Sequence, residues 1–468
     1  MQLKNVLVIG SAYGGGRAAR LLAQGLPKTH RVVIIDKHSH FNHLYLFPRY
    51  GVLPGHAQKA FIPDDFLDGY NAQPTRAPAA GQKPISSPSA AADVDGFPAN
   101  VPLVVHAKVV SIEDGYVELD RDATDASVSQ LVLTPEAEGV ASVSRITDQL
   151  RNGLTFTDRH PKDRRARRRI SWDYIVFATG CEMPPALAME GRTKQEGVDY
   201  LTEQTKTVAH AKSILVAGGG ALGIQYASDI ADLYNNPEHA DRRPAGPHPK
   251  NITLVHSRPR FMPLYKQALH DAIMRRLETL GVKVILDDRV EMPSVDERLK
   301  MEHNSFARTT RPVRTKKGKI IECDLVLQCT GQRPNSTLLR EYMPDVVGED
   351  GFVRVKPTLQ AAGRIFAIGD VADAGVIKAG HTAWAMGTIA AENIISLING
   401  AREGDLQEYQ RTPPMIKVTL GLTNAAAETR PSPEHKDTVV VESSDNPVEG
   451  HWEVIWRSRG ADPADPTK

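Results

Sequence analysis

Two short segments constrain this chain more than any other feature. In each, an apolar run breaks at a glycine and the chain then resumes as a helix-forming run. The first is Val6 to Ile9, then Gly10-Ser11-Ala12-Tyr13-Gly14-Gly15, then a helical pattern from Arg17 to Leu26. The second is Ser213 to Ala217, then Gly218-Gly219-Gly220-Ala221-Leu222-Gly223, then a second helical pattern. Both follow the frame G-x-G-x-x-G, with Ala12 in the second slot of the first copy. A short buried strand, a tight turn and a helix repeated in one chain predict an α/β protein with two open parallel sheets.

The frame has a mechanical reading. The first glycine permits the turn out of the strand, a small second residue lets backbone approach a pyrophosphate, and the third lets helix and strand pack closely. The helix N-terminus then presents free N–H groups to phosphate. After the first copy, Val32 to Ile35 form a strand ending at Asp36, followed by Lys37, and a carboxylate there accepts hydrogen bonds from ribose hydroxyls. After the second, Ile252 to Val255 run into His256-Ser257-Arg258 with no acid. An acid would repel a 2′-phosphate, whereas Ser257 and Arg258 suit one, which favours NADPH over NADH.

Two near-repeats follow. Tyr174 to Ala178 ends in Thr179-Gly180, and Leu325 to Cys329 ends in Thr330-Gly331. Each reads as the strand that returns the chain from a nucleotide fold. Arg364 to Ile368 then ends in Gly369-Asp370, where glycine allows close approach and the carboxylate suits a polyol, and residues 381–398 read as a helix.

With these elements in order, the sequence resembles the flavoproteins with two dinucleotide-binding domains. Within them it is most similar to the apoptosis-inducing-factor-like group that includes the mitochondrion-associated inducer of death (ferroptosis suppressor protein), and to its fungal branch above all. The matching residues include His40 to His43, Phe47 to Arg49, Lys59 to Ile62, Gly218 to Gly223 with Gln225, Thr253 to Ser257, Gly369-Asp370 with Lys378, Lys417 to Gly421 and Trp456 to Asp462.

The resemblance implies two Rossmann-like domains and FAD on Gly10, Ala12, Gly14, Gly15, Asp36, Lys37, Arg49, Thr179, Gly180, Gly369 and Asp370. It implies NADPH or NADH on Gly218, Gly220, Gly223, His256, Ser257, Arg258, Thr330 and Gly331. Hydride would pass from NAD(P)H to the flavin and electrons onward to a small acceptor, with Lys378 as a cation beside the flavin and Arg49 and His43 bordering the ring. Family members often carry Glu where this chain has Gln225. An amide hydrogen-bonds but carries no proton, which weakens any pairing with Lys378.

The expected domains are 1–205 (FAD, first part), 206–331 (NAD(P)H), 332–400 (FAD, second part) and 401–468 (a small C-terminal subdomain). Two stretches, 71–102 and 121–169, read as loop insertions. In the tail, Thr438 to Val441 and Trp452 to Trp456 read as strands.

Composition narrows the chemistry. The chain has three cysteines, Cys181, Cys323 and Cys329, with no CxxC pair, so electrons are not expected to leave through a dithiol. Sixteen histidines are scattered without paired ligand spacing, and no metal is expected. Net charge is +1, which selects neither nucleic acid nor an anionic surface. No apolar run approaches the ~18 residues of a membrane span. The first strand starts so early that a cytoplasmic chain is expected, with peripheral membrane contact left open.

The acceptor is open between a quinone and a pathway intermediate. Phe41, Leu44, Tyr45, Leu46 and Phe47 form an apolar cluster that could line a quinone site, although core packing is the expected reading. A slow-turnover, redox-responsive signalling protein that uses the basic run Arg164 to Arg169 is the alternative, although nucleic acid is not the expected partner.

Overall fold

The computed structural model describes residues 3–63, 102–121, 168–292, 306–308, 312–431 and 437–467. Both expected insertions, and Arg164 to Arg167 of the basic run, lie outside these residues except at their edges.

The chain opens with β1 (Lys4–Ile9), α1 (Tyr13–Gly25) and β2 (His30–Asp36). It continues through β3 (Leu103–His106), a meander of β4 (Val109–Glu113), β5 (Tyr116–Leu119) and β6 (Arg169–Ser171), and β7 (Tyr174–Phe177). Helix α2 (Lys194–His210) leads to β8 (Ser213–Ala217), α3 (Ala221–Asn235), β9 (Asn251–Val255), α4 (Gln267–Thr279) and β10 (Lys283–Ile285). After β11 (Phe306–Arg308) and β12 (Leu325–Gln328) come β13 (Gln360–Ala362), β14 (Ile365–Ala367) and α5 (Gly380–Ile398). The chain ends in β15 (Ile416–Thr419), β16 (Ala425–Glu428), β17 (Val440–Ser443) and α6 (Trp452–Ser458).

Two sheets repeat one plan. The first has the order β13-β14-β7-β1-β2-β3 and the second β10-β9-β8-β12-β11. Pairing is parallel throughout except for β13 with β14 and β11 with β12. In both, the glycine-motif strand lies between the strand that follows it and the strand that ends in Thr-Gly. Their central residues, Val6 to Val8 and Ile214 to Val216, are buried, as expected of parallel strands covered on both faces. On one face of the first sheet α1 and α5 nearly touch. A Cβ at Gly387 would lie 2.3 Å from the Gly14 carbonyl oxygen, and one at Gly14 would lie 2.8 Å from that of Ala383.

The tail departs from expectation. Trp452 to Trp456 forms α6, not a strand. The two indoles are four residues apart, which places them on one helical face, and both are buried while Val454 is exposed. Side-chain burial at helical spacing outweighs the strand propensity of the residue types.

Arg49 also departs from expectation. It is 3% exposed, and its guanidinium is taken up by protein groups. Its Nε and Nη2 donate to the two oxygens of Asp229 on α3 at 2.7 and 3.0 Å. Its remaining N–H groups donate to the carbonyls of Gly421, Leu422 and Val448 at 2.6–2.9 Å. All five guanidinium donors are thereby engaged. The side chain ties the segment after β2 to a helix of the second sheet and to the C-terminal strands. Removing one partner of such a pair leaves an uncompensated buried charge, at a cost of about 3–5 kcal/mol. Arg49→Ala should therefore lower the urea midpoint of the FAD-loaded protein sharply, and the Arg49→Met/Asp229→Leu double variant should recover most of the loss. An unchanged midpoint for Arg49→Ala would contradict this role.

Candidate functional site

The two glycine turns are built alike. Gly10 and Gly218 have φ of +96° and +116°, which L side chains rarely adopt. A Cβ on either would strike the strand ending in Thr-Gly, at 2.5 Å from the Ala178 carbonyl oxygen and 2.5 Å from Thr330 Cγ2. A Cβ at Gly15 or Gly223 would lie 1.8 Å from the carbonyl oxygen of Gly10 or Gly218. The second slot is different. Ala12 is exposed with φ of −61°, and a Cβ at Gly220, where φ is −76°, meets nothing within 4 Å. Alanine at 12 is therefore unstrained, and the need for a small residue there comes from what lies over the turn.

The following strands end in matching contacts made by different chemistry. Asp36 accepts from the Ser11 N–H at 2.7 Å, the Ser11 hydroxyl at 2.9 Å and the His38 N–H at 2.9 Å. Burial pushes this carboxyl up, but hydrogen bonds and charge from His38, with the Ser11 N–H, outweigh it and hold it below the usual carboxylate range. In the second fold His256 stands in the acid's place, and its Nδ1 accepts from the Gly219 N–H at 3.2 Å. Burial lowers its pKa, and the Nδ1 that accepts the Gly219 N–H carries no proton. Ser257, Arg258 and Lys37 are exposed beside these ends.

The two Thr-Gly crossovers meet. The Thr179 hydroxyl donates to the Asn335 carbonyl at 2.8 Å, the Asn335 amide returns a bond to the Thr179 carbonyl at 2.9 Å, and the Asn335 N–H donates to the Gly180 carbonyl. Cys181–Glu182 pairs antiparallel with Arg333–Pro334. Next to this junction lies Asp370, following Gly369 at φ +72°. Burial raises the Asp370 carboxyl and Lys378 partly offsets this. Lys378 Nζ donates to the Ala372 carbonyl and sits 4.4 Å from the Phe352 ring centroid. Burial lowers the lysine, opposed by Asp370 and then Cys181. Gln225 is turned to Asp229, and the acid that acts most strongly on Lys378 is Asp370.

Cys181 Sγ donates to the Asp370 carbonyl at 3.4 Å, and its thiol is pushed up to about 12 by burial and then by Asp370. It is a protonated thiol at neutral pH, not a nucleophile. All three cysteines are free.

The aromatic cluster after β2 divides. Phe41, Leu46 and Phe47 are buried in the core, and Tyr45 faces outward at 54% exposure. Core packing, the reading the residue types favour, accounts for these three residues. The Tyr45 hydroxyl accepts from the Gly380 N–H at the start of α5, at 2.8 Å. Sequence reasoning gave no role to Tyr13, whose hydroxyl lies 2.9 Å from His43 Nδ1. It sits inside the first turn, where the motif leaves identity free. Trp384 lies at the surface under the Arg17 guanidinium, 5.1 Å from its ring centroid.

Two linked dinucleotide folds with a Gly-Asp turn at their junction define an FAD-dependent NAD(P)H oxidoreductase. The chain belongs to the pyridine nucleotide-disulphide oxidoreductase family, whose model matches residues 4–387. It is 32% identical to Fe-regulated protein 8 of Mycosarcoma maydis, over 92% of this chain and 89% of that one. It is 30% identical to apoptosis-inducing factor homolog A of Dictyostelium discoideum, over 54% of this chain, and the match spans only 62% of that relative. Among solved structures, an NAD-dependent persulfide reductase from A. fulgidus shares the fold, with a TM-score of 0.56 at 16% identity over 92% of this chain and 65% of that one. Among the described residues no helix is long and apolar enough to cross a membrane.

Each turn fits a dinucleotide pyrophosphate, because each cradle is closed to side chains beneath and open above. The resemblance assigns FAD to the first and the nicotinamide dinucleotide to the second, and two substitutions test that assignment. Gly15→Val should yield protein depleted of flavin. Gly223→Val should keep its flavin but lose rapid bleaching by NADPH under anaerobic conditions. Normal flavin content in Gly15→Val, or normal bleaching in Gly223→Val, would contradict these assignments.

Proposed function

We propose that the chain oxidises NAD(P)H through FAD and delivers the electrons to a small, largely apolar acceptor, with a quinone as the best fit. Bound FAD supplies the hydride-accepting and electron-releasing chemistry. In this reading Gly10, Ala12, Gly14 and Gly15 carry its pyrophosphate, with α1 offering first-turn N–H groups. Asp36 and Lys37 face its ribose, and Thr179, Gly180, Gly369 and Asp370 its flavin half. Gly218, Gly220, Gly223, Thr330 and Gly331 cradle the nicotinamide dinucleotide, with His256, Ser257 and Arg258 at its ribose.

The observation that carries the acceptor reading is the make-up of the junction. Lys378, Asp370 and a protonated Cys181 meet there, and no second thiol accompanies Cys181. A dithiol relay has no chemical basis in such a set, whereas a fixed ammonium offsets negative charge that develops when electrons arrive. An open cavity of 380 Å³ lies beside the loop that carries Lys378; Leu264, Val376, Ile377 and Pro413 give it an apolar wall, and His381 and Arg411 a polar one.

Turnover of NADPH should be rapid with a short-chain ubiquinone analogue and negligible with small disulfides. The reverse pattern would overturn the proposal. Lys378→Met should cut quinone turnover by roughly 10-fold or more, the scale of one lost electrostatic contact at a reacting centre. A rate equal to wild type would remove Lys378 from the site.

For the donor, a histidine in the acid's place at 256 and an exposed Arg258 favour NADPH. Arg258→Ala should raise KM for NADPH about 10-fold and leave KM for NADH unchanged, as expected for one charge-assisted phosphate contact. Equal effects on both nucleotides would show that Arg258 does not read the 2′-phosphate. On this reading the enzyme works in the cytoplasm on diffusible substrates, with peripheral membrane contact supplying apolar ones.

A further inference from the structure

The C-terminal helix carries a cation to the first glycine turn. Arg459 closes α6, its N–H donating to the carbonyls of Ile455 and Trp456 at 3.1 and 3.0 Å. The helix is firmly seated. Trp452 and Trp456 are 8% and 1% exposed, and Trp456 Nε1 donates to the Lys59 carbonyl at 2.9 Å. The Lys59 and Lys194 ammonium groups lie over the two indoles, 4.7 and 5.1 Å from the ring centroids.

From this seat the Arg459 guanidinium lies over the Phe41 ring. Its Cζ is 3.7 Å from the Phe41 ring centroid, and Nη2 reaches the Ser11 carbonyl at 3.5 Å. Phe41 packs edge-on against Tyr13, the residue between Ala12 and Gly14, at 5.0 Å between centroids. The Arg459 charge acts on Tyr13 in the turn, on His43, which bonds to Tyr13, and on Arg20 further along α1, each time as a smaller effect than burial. Arg20, on α1, adds a second guanidinium whose buried Nε has no hydrogen-bond partner. The backbone at this turn is also the N-terminal end of α1, which carries a partial positive charge. A pyrophosphate diester, doubly negative at neutral pH, is the group this concentration of positive charge suits.

We propose that Arg459 is an FAD-binding residue, whose guanidinium reaches over the first glycine turn and supplies countercharge to the FAD pyrophosphate. The C-terminal segment is then part of the cofactor site, and FAD retention depends on a helix far from the first fold in sequence. This rests on the first fold holding FAD.

The test uses full-length protein as wild type, Arg459→Met and Arg459→Lys. Methionine keeps apolar packing on Phe41 without charge, and lysine keeps charge without the planar fork. Flavin content is read from the visible absorbance of the purified proteins, and FAD affinity from fluorescence titration of the deflavinated chain. Arg459→Met should bind FAD about 10- to 100-fold more weakly, with Arg459→Lys between it and wild type. Added salt should weaken FAD binding to wild type more than to Arg459→Met. Wild-type affinity in Arg459→Met would overturn the proposal and leave Arg459 as packing for Phe41. If Arg459→Met fails to fold, as judged by near-ultraviolet circular dichroism with saturating FAD, Arg459→Lys decides, and wild-type affinity together with no salt dependence overturns it. A wild-type chain that binds no FAD would overturn the cofactor assignment itself, which separates the two failures.

Discussion

The Arg49–Asp229 pair is the contact on which the arrangement of the whole molecule depends. A redox enzyme with two nucleotides must hold two separately folded sheets in fixed relation, because transfer demands alignment of the reacting atoms. Here a guanidinium from the first fold and a carboxylate from α3 of the second are buried together at 2.7 Å. The same guanidinium gathers backbone carbonyls from the C-terminal strands. Asp232, one turn further along α3, extends the tie by accepting from the Leu422 N–H at 2.8 Å and pairing with Arg276 at 3.3 Å. Charges buried with every donor engaged lock geometry, because any displacement leaves one of them unsatisfied.

From this tie the rest follows in order. The C-terminal strands are held against α3, and α6 is thereby brought over the segment after β2, where Trp456 and Arg459 meet the first fold. On the other side the two Thr-Gly crossovers meet through Thr179 and Asn335, so the folds are pinned at two places. Beside the second pin lie Asp370, Lys378 and Cys181, a charged group that needs no side-chain nucleophile.

The sequence made part of this legible, and the reason is locality. Gly10, Gly15, Gly218 and Gly223 are fixed by contacts within one strand-turn-helix unit, so their spacing reveals them. Asp36 belongs to the same class, since its partner Ser11 is in the adjoining turn. Arg49 looked like a site residue because it follows the ribose strand. Its partners come from residues 229 and 421–448, which local pattern does not reach. Arg459 was visible only as part of a tail motif. Trp452 to Trp456 was misjudged because aromatic and β-branched residues favour strands in general, while the four-residue spacing of the buried pair decided this case. His256 was read as an absent acid, whereas it makes the acid's hydrogen bond through a neutral ring nitrogen.

The central claim is that one chain holds one flavin in the first fold and reduces it from a nicotinamide dinucleotide in the second. Anaerobic titration of the purified full-length chain with NADPH, followed through the visible flavin band, tests it most directly. One flavin per chain is expected, fully bleached by a single equivalent of NADPH and restored by a quinone. A colourless chain that cannot be reconstituted with FAD, or a bound flavin that neither NADPH nor NADH bleaches, would contradict it.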